Sequence, residues 1–130
     1  MAGTGHSFTD IACTDGRLIK LDRYAQVLGV DTRRATVTAQ AGITIARLSE
    51  ELAHHGLAME NIGDVAYQTI SGAISTATHG TGERLRNISS QVSAVSLVLA
   101  DGAVLPASAP RRGPGSGRPA TGDRARGGAS

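Results

Sequence analysis

The chain has 130 residues, enough for one domain, and is 40% hydrophobic but only 2% aromatic, with no Trp. Any core must therefore be built from Val, Ile, Leu and Ala, the larger of which contribute about 1.5–3 kcal/mol each when fully buried. The net charge of +2 excludes a uniformly basic surface: residues 1–106 carry eight Lys or Arg against ten Asp or Glu, and the pI near 9.2 comes from five Arg and one Asp in residues 107–130.

Residues 1–16 are rich in Gly, Thr, Asp and Ser and read as loop. Cys13, the single cysteine, excludes an internal disulfide. It is expected to be a buried or half-buried small hydrophobe in a reducing compartment. The first residues carry neither a charged leader nor an apolar run, and no apolar stretch approaches ~20 residues. Neither a signal peptide nor a membrane span is expected, and a cytoplasmic location follows by default.

Leu18-Ile19-Lys20-Leu21-Asp22 reads as a short strand. Val27–Val30 and Ala35–Gln40 are two β-like runs around the polar turn Asp31-Thr32-Arg33-Arg34, which predicts a hairpin. Ile45, Leu48 and Leu52 fall on one helical face. Thr44 supplies an N-cap and Gly56 a C-terminal stop, so a helix is predicted over Thr44–His55. His54 and His55 close that helix, where positive charge is tolerated, and they lack companions at metal-ligand spacing. Residues 57–70 read as irregular, with a turn at Asn61–Asp64. Val92–Leu99, Asp101-Gly102 and Ala103-Val104-Leu105 predict a second hairpin. From residue 107 on there is no Val, Ile, Leu, Met or aromatic residue. Such a segment cannot bury enough apolar surface to offset the entropy of ordering it, so a disordered tail is expected over 107–130. Its arginines lack interleaved aromatics, which makes them a generic polyelectrolyte with no specific nucleic-acid partner.

Two segments carry chemistry. The first is Gly3-Thr4-Gly5-His6-Ser7. It is not a dinucleotide-binding fingerprint, because the third glycine and the preceding strand are absent. Its glycines allow close approach to a ligand, and its adjacent N–H groups and hydroxyls suit a pyrophosphate. Taken alone, these residues fit a flexible N-terminal loop better than an anion site. The second is Ser71-Gly72-Ala73-Ile74-Ser75-Thr76-Ala77-Thr78-His79-Gly80. Its hydroxyls and imidazole are too many polar groups for an ordinary core strand. A helix start of this composition would expose backbone N–H groups to a flat or anionic ligand. A small-residue helix packed on a sheet accounts for it equally well. Ser7 beside His6 is not a hydrolytic triad, since no nucleophile elbow surrounds it.

Gly3-x-Gly5-His6-Ser7 followed by Ile70-Ser71-Gly72-Ala73-x-x-x-x-Thr78-His79-Gly80-Thr81-Gly82 resembles the FAD-binding domain of the vanillyl-alcohol oxidase and p-cresol methylhydroxylase type. The likeness is closest to the aldonolactone branch, which takes in L-gulonolactone oxidases and dehydrogenases, D-arabinono-1,4-lactone oxidases and alditol oxidases. It extends over about residues 2–105. The order and spacing of two motifs make it specific.

The resemblance implies an α+β fold. The expectation is a partial two-subdomain FAD-binding domain over 1–106, mostly a small antiparallel sheet flanked by helices. It implies an FAD-dependent oxidoreductase that takes a hydride from a sugar-lactone or polyol carbon. Gly3, Thr4, Gly5, His6 and Ser7 would wrap the FAD pyrophosphate, and His6 matches the histidine that in many members bonds covalently to the flavin. Ser71, Gly72, Ser75 and Thr76 would follow the pyrophosphate and ribityl chain, and Thr78, His79 and Gly80 would pass the flavin ring. Two departures stand out. The family domain starts earlier, with a β-α-β unit, and continues past the second hairpin where this chain turns to Arg, Gly, Pro, Ala and Ser. A truncated, frame-shifted product is therefore expected, with weak FAD binding or none.

Overall fold

The computed structural model of the protein describes residues 1–108. The disordered tail expected over 107–130 therefore lies, from residue 109 on, outside the described residues. Residues 107 and 108 belong to a strand. The architecture is α+β, with short helices and small antiparallel sheets. The chain divides into two compact units, the first Met1–Ser93, the second starting at Ala94.

In the first unit, strands β1 (Val27–Asp31) and β2 (Thr36–Ala39) form the expected hairpin. Asp31 makes the turn: its carboxylate accepts from the N–H groups of Arg33 at 3.0 Å and Arg34 at 3.1 Å. That is the local bonding for which Asp is favoured in turns. Ala35 closes the loop with φ +49°. The expected strand over 18–22 does not form. Only a single bridge joins Lys20 to Ala2, with the Ala2 N–H donating to the Ile19 carbonyl at 3.1 Å. The glycine-rich chain turns away at Gly5, φ +80°, so a longer ladder has no partner. Cys13 is exposed rather than buried, because it follows a 3-10 turn, Asp10–Ala12, that buries no residue.

Helix α1 (Ile45–His54) begins where Thr44 caps the Arg47 N–H at 3.3 Å. It ends in a Schellman arrangement. Gly56, φ +68°, turns the chain so that its N–H donates to Ala53 and the Leu57 N–H to Leu52, both at 3.0 Å. The buried face is Ile45, Leu48 and Leu52, as its spacing predicts. Ile43, Leu48 and Leu52 form one cluster under the β1–β2 hairpin, lined by Val27, Val37 and Ala39. Ile45, Ala73 and Ile88 form a second. Met59 and Ile70 pack against both and join them. Helix α2 (Ile70–Ser75) contributes Ala73 to that second cluster.

The second unit is the hairpin of β3 (Ala94–Val98) and β4 (Val104–Ser108), antiparallel from Ala94↔Ser108 to Val98↔Val104. Val92, expected to open that strand, instead ends a 3-10 turn, Ile88–Gln91. Every residue of both strands is exposed. Among the described residues no helix is long and apolar enough to cross a membrane.

Candidate cofactor-binding cleft

The N-termini of α1 and α2 are stitched side by side. Thr44 and Thr69 form an antiparallel bridge, in which the Ile45 N–H donates to the Gln68 carbonyl at 3.0 Å and the Ile70 N–H to the Ile43 carbonyl at 2.8 Å. Thr69 is the buried N-cap of α2, and its hydroxyl oxygen accepts from the Gly72 N–H at 3.2 Å. The first sequence segment closes on this cap. A Cβ placed on Gly3 would fall on Thr69 Oγ1, so only glycine lets the loop seat there.

That contact brings the two segments together. A small, partly open cleft of about 60 Å³ is lined by Gly3, Thr4, Gly5, His6, Ser7, Gln68, Thr69, Gly72 and Thr76. Its walls differ in chemistry. Among the described residues, none of the N–H groups of Gly3–Ser7 finds a protein acceptor. They are free donors in a loop that lines the cleft, beside a half-exposed imidazole at His6. No Lys, Arg, Asp or Glu lines the cleft, so the donors available to an anion are backbone N–H groups, the Thr4 and Ser7 hydroxyls and the His6 imidazole.

The α2 wall differs from expectation. Its first N–H groups are not turned to a ligand. Ile70 donates to Ile43, Ser71 to the Ala41 carbonyl at 3.2 Å, and Gly72 to the Thr69 hydroxyl. The neighbouring bridge and the cap satisfy the helix start internally. The hydroxyl protons are also used locally, Ser75 on the Ser71 carbonyl at 2.8 Å and Thr76 on the Gly72 carbonyl at 3.0 Å. Such back-bonding explains how so many hydroxyls sit on one short helix.

Of the second segment, Gly72 and Thr76 reach the cleft, whereas Ser71, Ser75, Thr78, His79 and Gly80 do not line it. Thr78 lies one step beyond, its hydroxyl 3.1 Å from that of Thr76. Gly80 packs against the Ile62 carbonyl and the Asn61 carboxamide. Asn61 is itself buried and donates to the Arg86 carbonyl at 3.0 Å, and its own carbonyl accepts from Gln91 at 2.9 Å. His79 is exposed, with Nδ1 donating to the Gly80 carbonyl at 3.0 Å.

Sequence reasoning missed Gln68 and Thr69. Thr69 carries a readable signal, a Thr directly before a small-residue helix. Gln68 carries none. Its Oε1 is buried with no hydrogen-bond partner among the described residues.

An FAD binding domain family model matches residues 1–108, and the chain belongs to that family. FAD is thus the cofactor against which the cleft is read. The free N–H groups of residues 3–7, the close seat of Gly3 on Thr69 and the hydroxyls of Thr4, Ser7 and Thr76 along the cleft fit a ligand that bears both phosphates and hydroxyls. Over 103 residues the chain is 48% identical to the L-gulono-1,4-lactone dehydrogenase of Mycobacterium tuberculosis, covering 79% of this chain and 24% of that protein. It is 44% identical over 105 residues to the L-gulonolactone oxidase of Bos taurus, covering 81% and 24%. It is 40% identical over 96 residues to the mitochondrial L-galactono-1,4-lactone dehydrogenase 1 of Oryza sativa subsp. japonica, covering 74% and 16%. The matched region thus spans a quarter or less of these relatives.

Proposed function

We propose that this chain supplies the diphosphate- and ribityl-holding part of an FAD-dependent oxidoreductase acting on sugar lactones. The observation that carries this reading is the Gly3–Ser7 loop, which lines the cleft, leaves its N–H groups without protein acceptors and seats Gly3 on the cap of α2. The lactone part rests on the names of the relatives.

Phosphate oxygens would accept from the loop N–H groups, which no protein acceptor occupies. Thr69 holds the loop in register through its fit to Gly3. Thr76, its proton committed to Gly72, offers lone pairs to a ligand hydroxyl. FAD, when bound, supplies the hydride acceptor, and the protein supplies its position and surroundings. His6 is the one imidazole lining the cleft, and it is the side chain through which a covalent bond to the flavin would run.

Flavin-fluorescence titration of the 130-residue chain tests this. FAD should bind weakly, with Kd of order ~0.1–1 mM, because the cleft is small and open, and inorganic pyrophosphate should displace it. Absence of FAD binding, or FAD binding indifferent to pyrophosphate, contradicts the reading. Acid precipitation of the same sample separates the two modes at His6: flavin that stays with the pellet supports a covalent bond, and flavin left in solution removes it.

A further inference from the structure

The β3–β4 hairpin has two unlike edges. Leu99 donates to the Ala103 carbonyl at 2.8 Å, which sets the phase of the antiparallel ladder. Val95 and Leu97 therefore turn their backbone N–H and C=O groups to β4, and Ala94, Ser96 and Val98 turn theirs outward. Among the described residues no strand pairs with that outer side, so it stands as an open template. The usual guards of an edge are missing from β3. It holds no Pro, Lys, Arg, Asp or Glu, and the hairpin's proline, Pro106, lies on β4. Directly opposite residues share a face of the sheet, so Val95, Leu97, Leu105 and Ala107 make one apolar side, and all four are exposed. A two-stranded hairpin is marginal in water, and a stable sheet needs more strands. Residues 109–130 hold no Val, Ile, Leu, Met or aromatic residue, so their composition offers no strand of the kind that would pair here.

We infer that β3 is a docking edge for a second copy of this chain, the two β3 strands pairing antiparallel about a two-fold axis at Ser96. The register follows from the free backbone groups. With the axis there, Ser96 meets its own counterpart and Ala94 meets Val98, so the outward residues of both strands all fall in hydrogen-bonded pairs. The two hairpins become one four-stranded sheet. The axis runs perpendicular to that sheet, so the Val95, Leu97 and Leu105 side chains of both copies gather on one side. Neither strand carries a charge to oppose the pairing. Pro106 interrupts the two outer edges, so the assembly closes at two copies. No residue of the hairpin lines the cleft, and the inference stands apart from the FAD reading.

The test is cysteine pairing in the 130-residue chain carrying Cys13→Ser, which removes the exposed native thiol. Adding Ser96→Cys places two thiols on the axis with Cα atoms about 5.5 Å apart, inside the ~4.4–6.8 Å that a disulfide spans. Adding Val98→Cys instead places them on the same edge but out of step, roughly 13 Å apart along the strands. Both positions are exposed, so neither change burdens the fold. In sedimentation the Cys13→Ser chain should show monomer and dimer in proportions that follow mass action, with nothing larger. Under oxidised glutathione, Ser96→Cys should form the disulfide-linked dimer at least ~10-fold faster than Val98→Cys. Equal rates at the two positions, or a faster rate for Val98→Cys, overturn the inference, since either marks another register or random collision. A chain that stays monomeric up to ~1 mM, or that grows into open-ended assemblies, overturns it as well.

Discussion

At the scale of single residues, the cleft depends on one missing side chain. Gly3 lies against Thr69 with no room for a Cβ. Gly3→Ala must push the loop off the α2 cap, and the donors of residues 3–7 move with it. Gly3 belongs to neither core cluster, so the fold should not register the change. FAD affinity is predicted to fall at least ~10-fold, with a melting temperature within ~2 °C of the original, as for surface substitutions. Calorimetry beside a flavin titration checks both. A large drop in melting temperature would mean that Gly3 supports the fold rather than the site. Residues of this kind divide sharply in their legibility. The paired glycines around Thr4 and the histidine that follows are visible as a motif. The place of Gln68 in the cleft lining is not, because it depends on the Thr44–Thr69 bridge, which no local pattern announces.

At the scale of elements, local chemistry was the best guide. Thr44, Gly56 and the Ile45, Leu48, Leu52 face mark α1 to within a residue at each end. The turn at Asp31 and the Asp101-Gly102 pair mark both hairpins. The strand over 18–22 failed because an apolar run needs a partner, and pairing is decided elsewhere in the chain. Which of the two readings of the α2 start holds is decided elsewhere in the chain too: its first donors are taken by the carbonyls of Ile43 and Ala41, a long-range contact. The β3–β4 hairpin shows a further device. Leu99 donates to the Ala103 carbonyl at 2.8 Å, and Ser96 pairs with Pro106. Antiparallel alternation then puts Pro106 where its missing N–H faces away from β3. The outer edge of β4 is thereby blunted, and β3 keeps an edge that a further strand can pair with. Val98, 74% exposed, stands on that edge. The chain should associate as its concentration rises. Val98→Lys should reduce the association while changing stability by no more than ~1 kcal/mol. Light scattering over a concentration series reads the outcome, and association unchanged by the lysine would place the contact elsewhere.

At the scale of the whole molecule, a small aliphatic core holds the first unit together and positions the cleft. Ile43 and Ile45 flank Thr44 and belong to separate clusters, so the residue that caps α1 also sits where the two clusters meet. Thr69 is bridged to Thr44, and Gly3 rests on Thr69. The cleft is thus tied to the core through two N-caps. Composition foretold an aliphatic core without aromatic anchors. It could not foretell that two loops distant in sequence meet at Thr69, because that meeting is a product of tertiary packing. The central claim is that the free N–H groups of Gly3–Ser7 hold the diphosphate of FAD. Amide chemical shifts of the isotopically labelled chain, followed during titration with FAD and separately with pyrophosphate, test it most directly. The account predicts that both ligands move the amides of residues 3–7. Shifts confined to other residues, or none at residues 3–7 with either ligand, would contradict it.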